Sequence, residues 1–302
     1  MKYYEAMALW ETHGFDKIKD LFINLEEKKS LGHAYLFTGQ EMIGKRTFAL
    51  ELALKLNKME GVFNDKDPDI FYISNADNES RSTIQIDDIR DMKKFASLKV
   101  YNGPYKYIII DNAHEMTNEA GNSILKLLEE PAKGTLIFLI SAFHKKMLPT
   151  IISRCERINF SPHKKVGLEE YFKKFNLTDE QISFMVNFSN GRIGLAKSLY
   201  EKDAFPEIKK TIGMLQKLVQ GSIFEKFDVI EKVVNNRKVS DNGEDTAEVA
   251  LLYWMLYLRS SLATNLGQDR GKIIRKMFEV YNYLKQPQLN HRLLFERAFI
   301  KY

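Results

Sequence analysis

Between residues 33 and 160 the chain alternates two hydrophobic periods. Short apolar runs at His33–Phe37, Ile70–Ile73, Tyr107–Asp111, Thr135–Ser141 and Ile158–Phe160 read as buried strands. Between them, apolar residues recur at helical spacing. One helix covers Phe48–Leu56. A second places Ile89, Met92, Phe95 and Leu98 on one side, with Asp87 as its N-cap, and a third, Ala120–Leu128, stops at Pro131. The run Ile108-Ile109-Ile110 is β-branched throughout and ends in a carboxylate, as an interior parallel strand does. Strands and helices in this order predict an α/β domain with a mostly parallel sheet.

The flanks differ. Residues 1 to 31 read as helices, with Phe15, Ile18, Leu21, Phe22 and Leu25 at helical spacing and charged residues opposite. Residues 74 to 83 form a polar surface loop, and Asn102-Gly103-Pro104 is turn chemistry. After Ser161-Pro162 the strand signal ends. Leu168–Phe175, Asp179–Phe188 with Thr178 as N-cap, and Ile193–Tyr200 predict short helices, broken at Asn190-Gly191. Helical periodicity resumes from Pro206 and again from Phe224. Beyond a polar loop at Asn235–Asp245 it continues through Thr246–Leu266, Lys272–Leu284 and Asn290–Ile300. The expected division is into three domains: 1–161, 162–203 and 204–302.

Composition narrows the classes. The chain has 302 residues, 44% hydrophobic and 28% charged, which is too long for one ordinary core. Its formal charge of +5 is compatible with association with nucleic acid but is no proof of it. A single cysteine, Cys155, rules out an internal disulfide and any cysteine-based zinc module. The N-terminus has no signal-peptide hydrophobic region, and the most apolar run, Val249–Leu258, is too short to cross a bilayer. A cytoplasmic protein with no membrane contact is expected.

The first strand runs into Gly39-Gln40-Glu41-Met42-Ile43-Gly44-Lys45-Arg46-Thr47 and then into a helix. A strand, a glycine-rich turn and a helix N-terminus with lysine make a P-loop, whose backbone N–H groups surround phosphate while the lysine neutralises its charge. The hydroxyl that should follow the lysine and ligate Mg²⁺ is replaced by Arg46. Thr47 comes one residue late, and one helical step turns a side chain by about 100°, so it does not substitute. Asp111 stands where a P-loop ATPase keeps its metal-holding carboxylate. The next position, often the glutamate that activates water, is Asn112, and an amide accepts no proton at neutral pH. The site therefore reads as one not built to hydrolyse. On spacing alone Lys45 and Arg46 are also compatible with surface cations beside an empty loop. Likewise Arg154, in Ser153-Arg154-Cys155, is by spacing alone an ordinary surface cation.

Four segments taken together resemble a known family. They are His33–Gly39, Ile110-Asp111-Asn112-Ala113-His114, Asn122–Pro131 with its Leu-Lys-Leu-Leu-Glu-Glu-Pro ending, and Ser153-Arg154-Cys155. In this order they closely resemble the bacterial clamp-loader AAA+ family, densely over 33–160 and more diffusely to the C-terminus. The resemblance implies a RecA-like AAA+ P-loop domain, a small helical lid and an all-α collar joining a hetero-pentameric ring. The implied partners are the motor gamma/tau and delta subunits and, through the complex, the sliding clamp and primer–template DNA. Arg154 matches the family's arginine finger, which acts on ATP bound by a neighbour. Ser141 matches the sensor-1 position. Gly194 falls where motor subunits carry a sensor-2 arginine, with Arg192 out of register. The four-cysteine zinc module of many relatives is missing from 57–83. The missing module puts zinc out of consideration, while the departures at 46, 112 and 194 favour a stator that requires no cofactor, with ATP or ADP binding left open. The competing expectation is an active ATPase, a motor-type subunit or another AAA+ enzyme, which Arg46 and Asn112 oppose.

Overall fold

A computed structural model describes residues 10–59, 67–74, 83–235, 246–260, 270–284, 286 and 288–300. Most of the cysteine-free stretch 57–83, most of the polar loops at 74–83 and 235–245, and the helix expected over 261–266 lie outside these residues, as do residues 1–9. The described residues form two compact units. The first runs to Gly167 and includes Arg192–Gly194; the second comprises Leu168–Gly191 and the residues from Leu195 onward.

The first unit is built on five parallel strands: β1 (Ala34–Thr38), β2 (Ile70–Ile73), β3 (Lys106–Ile110), β4 (Thr135–Ser141) and β5 (Glu156–Asn159). Their order across the sheet is β2-β3-β4-β1-β5. Every residue of β1, β3 and β4 is buried, which is why these segments read as continuous apolar runs. Successive side chains still alternate between faces. Tyr35, Phe37, Tyr107, Ile109, Phe138 and Ile140 share one core with helices α1 (Asp16–Glu27) and α2 (Lys45–Leu56). Leu36, Ile108, Ile110, Ile137 and Leu139 share the other with α3 (Ile86–Ser97), α4 (Asn118–Glu129) and the short α5 (Pro149–Ile152). The first core is strongly aromatic. Phe37 stacks on Phe138 at 5.2 Å, and Trp10 lies parallel to Phe48 at 5.2 Å.

Several expectations need correction. The segment before β1 is not helical from residue 10: Gly14 and Phe15 both take positive φ (72° and 61°), and the helix starts only at Asp16. On α1, Lys19 is buried rather than exposed, its Nζ donating to the Thr12 carbonyl at 2.6 Å. The N-cap of α3 is Gln85, not Asp87; its N–H donates to Asp88 Oδ2 at 2.7 Å, and the two aspartates lie in the first turn. Leu98 lies past the end of that helix and is 64% exposed, while Ala96 takes the core position. The turn at 101–104 is fixed by the buried Asp69, which accepts from Tyr101 N and Asn102 N, both at 2.6 Å.

The second unit is helical throughout its described residues. It holds the end of α6 (Lys165–Phe172), α7 (Asp179–Ser189), the body of α8 (Ile193–Glu201), α9 (Phe205–Gln220), α10 (Ile223–Asn235), α11 (Thr246–Arg259), α12 (Arg270–Leu284) and α13 (His291–Phe299). Helix α6 therefore begins and ends three residues earlier than its periodicity predicts. Thr178 caps α7 as expected, accepting from Gln181 N, and Asn190 ends it in the left-handed conformation. Trp254 on α11 is fully buried, with its indole N–H donating to the Thr211 carbonyl of α9 at 2.6 Å.

Candidate functional site

The sheet order places β4 between β1 and β3, and the chain leaves β1 toward one edge of the sheet and returns on its other side at β5. Such a reversal opens a crevice at the C-terminal ends of the strands. Three expected site residues arrive there because their strands end together. Gly39 follows Thr38, which pairs in register with Ser141, and Asp111 follows Ile110.

The loop is held by contacts a sequence pattern cannot express. Gly39 has φ 145°, and a Cβ on it would lie 2.3 Å from the Phe160 carbonyl oxygen, so no other residue fits. Met42 sits in the left-handed region at φ 60°, and Gly44 at φ 104° precedes the first turn of α2. Ile43 is fully buried, and its carbonyl is 3.0 Å from His163 Nε2. Gly194 N donates to the Met42 carbonyl at 2.7 Å, and a Cβ on Gly194 would come within 2.8 Å of that same oxygen. The proposed sensor-2 position is therefore set against the loop and has no room for a side chain. His163 and Phe160, which touch this loop, belong to no motif in the sequence.

Lys45 turns back onto the loop. Its Nζ donates to the carbonyls of Gly39 at 2.8 Å and Gln40 at 2.6 Å, and the side chain is 6% exposed. Burial lowers its pKa to about 8, against the attraction of Asp111 and then Glu41. It is therefore not a surface cation. Arg46 lies exposed over the ring of Tyr72, its guanidinium carbon 4.6 Å from the centroid. Tyr72 in turn donates its hydroxyl to Asp111 Oδ2 at 3.4 Å. Burial raises the Asp111 carboxyl, opposed in turn by the Asn112 N–H (2.9 Å from Oδ1), by Arg46, by Lys45 and by the Tyr72 hydroxyl. Tyr72 was missed in the sequence, where it is only one residue of an apolar strand.

Asn112 takes the left-handed conformation (φ 51°) and caps a single 3-10 turn, Ala113–Glu115. Burial raises the Glu115 carboxyl, and Glu41 raises it further. Ser141 is fully buried. Its Oγ accepts from Phe143 N at 3.1 Å and lies 3.2 Å from His114 Nδ1. Burial, then Lys146 and Lys45, hold the His114 imidazole below its ordinary range. His114 is thus a member of the site that the sequence showed only as part of a motif. Thr47 is exposed on α2.

Backbone N–H groups of a helix N-terminus and a lysine are chemistry that fits a phosphate. The metal half fits less well. A cation, not a hydroxyl, stands at 46, within electrostatic reach of Asp111. Arg154 belongs to another corner, in the turn between α5 and β5. Its Nε donates to Glu129 Oε1 at 2.8 Å, Nη2 bonds the same oxygen, and Nη1 donates to the Thr150 carbonyl at 2.9 Å. Cys155 is half-buried, and burial pushes its thiol up to about 12.

A parallel sheet of this order with a glycine-rich loop and lysine after β1 defines a P-loop module of the AAA+ class. The crystal structure of a DNA polymerase III gamma subunit-related protein from Thermotoga maritima has the same fold. Its TM-score is 0.63 at 20% identity, over 93% of this chain and 97% of that one. The family model described as DNA polymerase III, delta subunit matches residues 14–164, half of the chain. The chain belongs to that family and is a DNA polymerase III clamp-loader subunit. It is 27% identical over 277 residues to DNA polymerase III subunit delta' of Bacillus subtilis, covering 87% of this chain and 82% of that protein. It is 34% identical over 161 residues to the tau subunit of the same organism, covering 49% of this chain and 28% of tau. Among the described residues no helix is long and apolar enough to cross a membrane.

Proposed function

We propose that this chain is the non-hydrolysing, delta-prime-type stator of its clamp loader. It supports ATP-dependent placement of a sliding clamp on primed DNA and offers Arg154 to nucleotide held by a neighbouring subunit. The observation that carries the reading is Arg46. Seated over Tyr72 beside Asp111, it puts a fixed positive charge where an ATPase needs a hydroxyl and a metal ion. Asn112 in place of a proton acceptor, and Gly194 in place of a sensor arginine, support the same reading. The helix N-terminus and Lys45 keep the chemistry to hold a phosphate without hydrolysing it, once Lys45 leaves its two carbonyls. The second unit, with the residues just before it, divides into a lid (162–203) and a collar (204–302) that joins the gamma/tau and delta subunits in a five-membered ring.

Arg154 enters through the Ser-Arg-Cys resemblance. A guanidinium near a transferring phosphoryl group stabilises the charge that develops on it, a contribution of roughly a thousandfold or more. Two assays test the proposal. The purified chain should hydrolyse no ATP above background; turnover that disappears in Lys45→Ala would replace the stator with the active ATPase. In the reconstituted complex, Arg154→Ala should leave assembly intact and slow DNA-stimulated hydrolysis by the neighbour. An unchanged rate would remove the finger assignment.

A further inference from the structure

We infer that Glu129 is the positioning residue for Arg154, a role that rests on the reading of Arg154 as the group offered to a neighbour's nucleotide. Glu129 is the last residue of α4, where the helix's own carbonyls make a carboxylate unfavourable unless a cation stands beside it. That cation is Arg154. Its Nε (2.8 Å) and Nη2 both donate to Glu129 Oε1, and the pair spans 25 residues of sequence. The other edge of the guanidinium is held independently. Nη1 donates to the Thr150 carbonyl at 2.9 Å and reaches Ser153 Oγ more weakly at 3.5 Å.

A planar guanidinium gripped at Nε, Nη2 and Nη1 has lost its freedom to rotate about its long side chain, yet it remains one-third exposed. The second N–H of Nη2 is not used by these partners. A phosphate oxygen arriving from outside meets a fork already set in one plane, so the cost of ordering the side chain has been met before the transition state. A long arginine left to itself would have to be immobilised at each encounter. The Glu-Glu-Pro ending of α4 thereby serves two ends. Pro131 terminates the helix, and the residue two before it aims the arginine.

The test uses the reconstituted clamp loader, with DNA-stimulated ATP hydrolysis followed at varied ATP. Glu129→Ala should lower kcat about tenfold with KM for ATP unchanged. Glu129→Gln, which keeps Oε1 as an acceptor, should recover most of that loss. In an Arg154→Ala background, Glu129→Ala should cost nothing further, because the two act as one unit. A rise in kcat would overturn the inference, since Glu129 would then be a restraint to be broken. Losses that multiply with those of Arg154→Ala would also overturn it, placing the effect elsewhere in the fold. If Arg154→Ala slows hydrolysis and neither Glu129 variant does, only this inference falls. If Arg154→Ala changes nothing, the reading of Arg154 falls, and the role of Glu129 with it.

Discussion

Removing the charge of Lys45 should change how the first unit responds to alkali, and by a calculable amount. In the folded chain its pKa is about 8, against 10.5 for a free lysine. A lysine with a lowered folded pKa penalises the fold wherever it is charged in both states. The penalty is complete below the folded value and fades as pH rises toward the unfolded value. At about 1.4 kcal/mol per pKa unit, the full penalty is about 3 kcal/mol, of which roughly 2–3 kcal/mol should be relieved between pH 7 and pH 10. Lys45→Met keeps the length of the side chain and abolishes the titration. It also strips the donor from the carbonyls of Gly39 and Gln40, a loss that does not depend on pH. Trp10, stacked on Phe48, reports unfolding of this unit when the other tryptophan, Trp254, is replaced by phenylalanine in both proteins. Urea unfolding at half-unit pH intervals should show the parent gaining on the methionine variant steadily above pH 8. Other lysines are common to both and cancel. A difference that stays flat from pH 7 to 10 would refute the claim that Lys45 is desolvated against its own loop.

Two further outcomes follow from the geometry. Gly194→Arg, which on the proposed reading supplies a motor subunit's sensor-2 arginine, should cost about 1–3 kcal/mol in urea unfolding and yield no ATPase activity, because its Cβ meets the Met42 carbonyl at 2.8 Å; a neutral substitution would show the contact to be slack. Cys155, with its thiol pushed up to about 12, should react with iodoacetamide at pH 8 about a thousandfold more slowly than an ordinary thiol until urea unfolds the chain. Equal rates before and after unfolding would contradict its burial.

What could be read without coordinates depended on whether a residue's neighbours in space are also its neighbours in sequence. Strand Thr135–Ser141 was legible to the residue, because a strand buried on both faces is apolar from end to end. The glycines, Lys45 and Asp111 were legible because a P-loop is a local object. Lys106 was not: it stands at the head of β3, 1% exposed, with Nζ donating to the carbonyls of Phe95 at 3.1 Å and Leu98 at 2.5 Å at the end of α3. A lysine in sequence reads as surface, and only the carbonyls of a helix end elsewhere make its burial tolerable. The same limit hid Tyr72 beneath Arg46 and His163 beside Ile43, 120 residues apart in sequence. The direction in which Lys45 points was equally invisible, since motif spacing says nothing of which carbonyls a side chain finds.

Arg46 also bears on how this chain can change over generations. With Lys45 it holds down the carboxyl of Asp111, which burial pushes up. A lone Arg46→Ser change would supply a hydroxyl and in the same step withdraw that charge, leaving the half-buried Asp111 carboxyl readier to take a proton than it is beside the arginine. Asn112 would still accept no proton, and Gly194 would still have no room for an arginine. A single change at 46 or at 194 thus carries its own structural cost and leaves the other departures in place. In the proposed stator, the absence of turnover is therefore held by three positions at once, and no one of them can be changed to restore it alone.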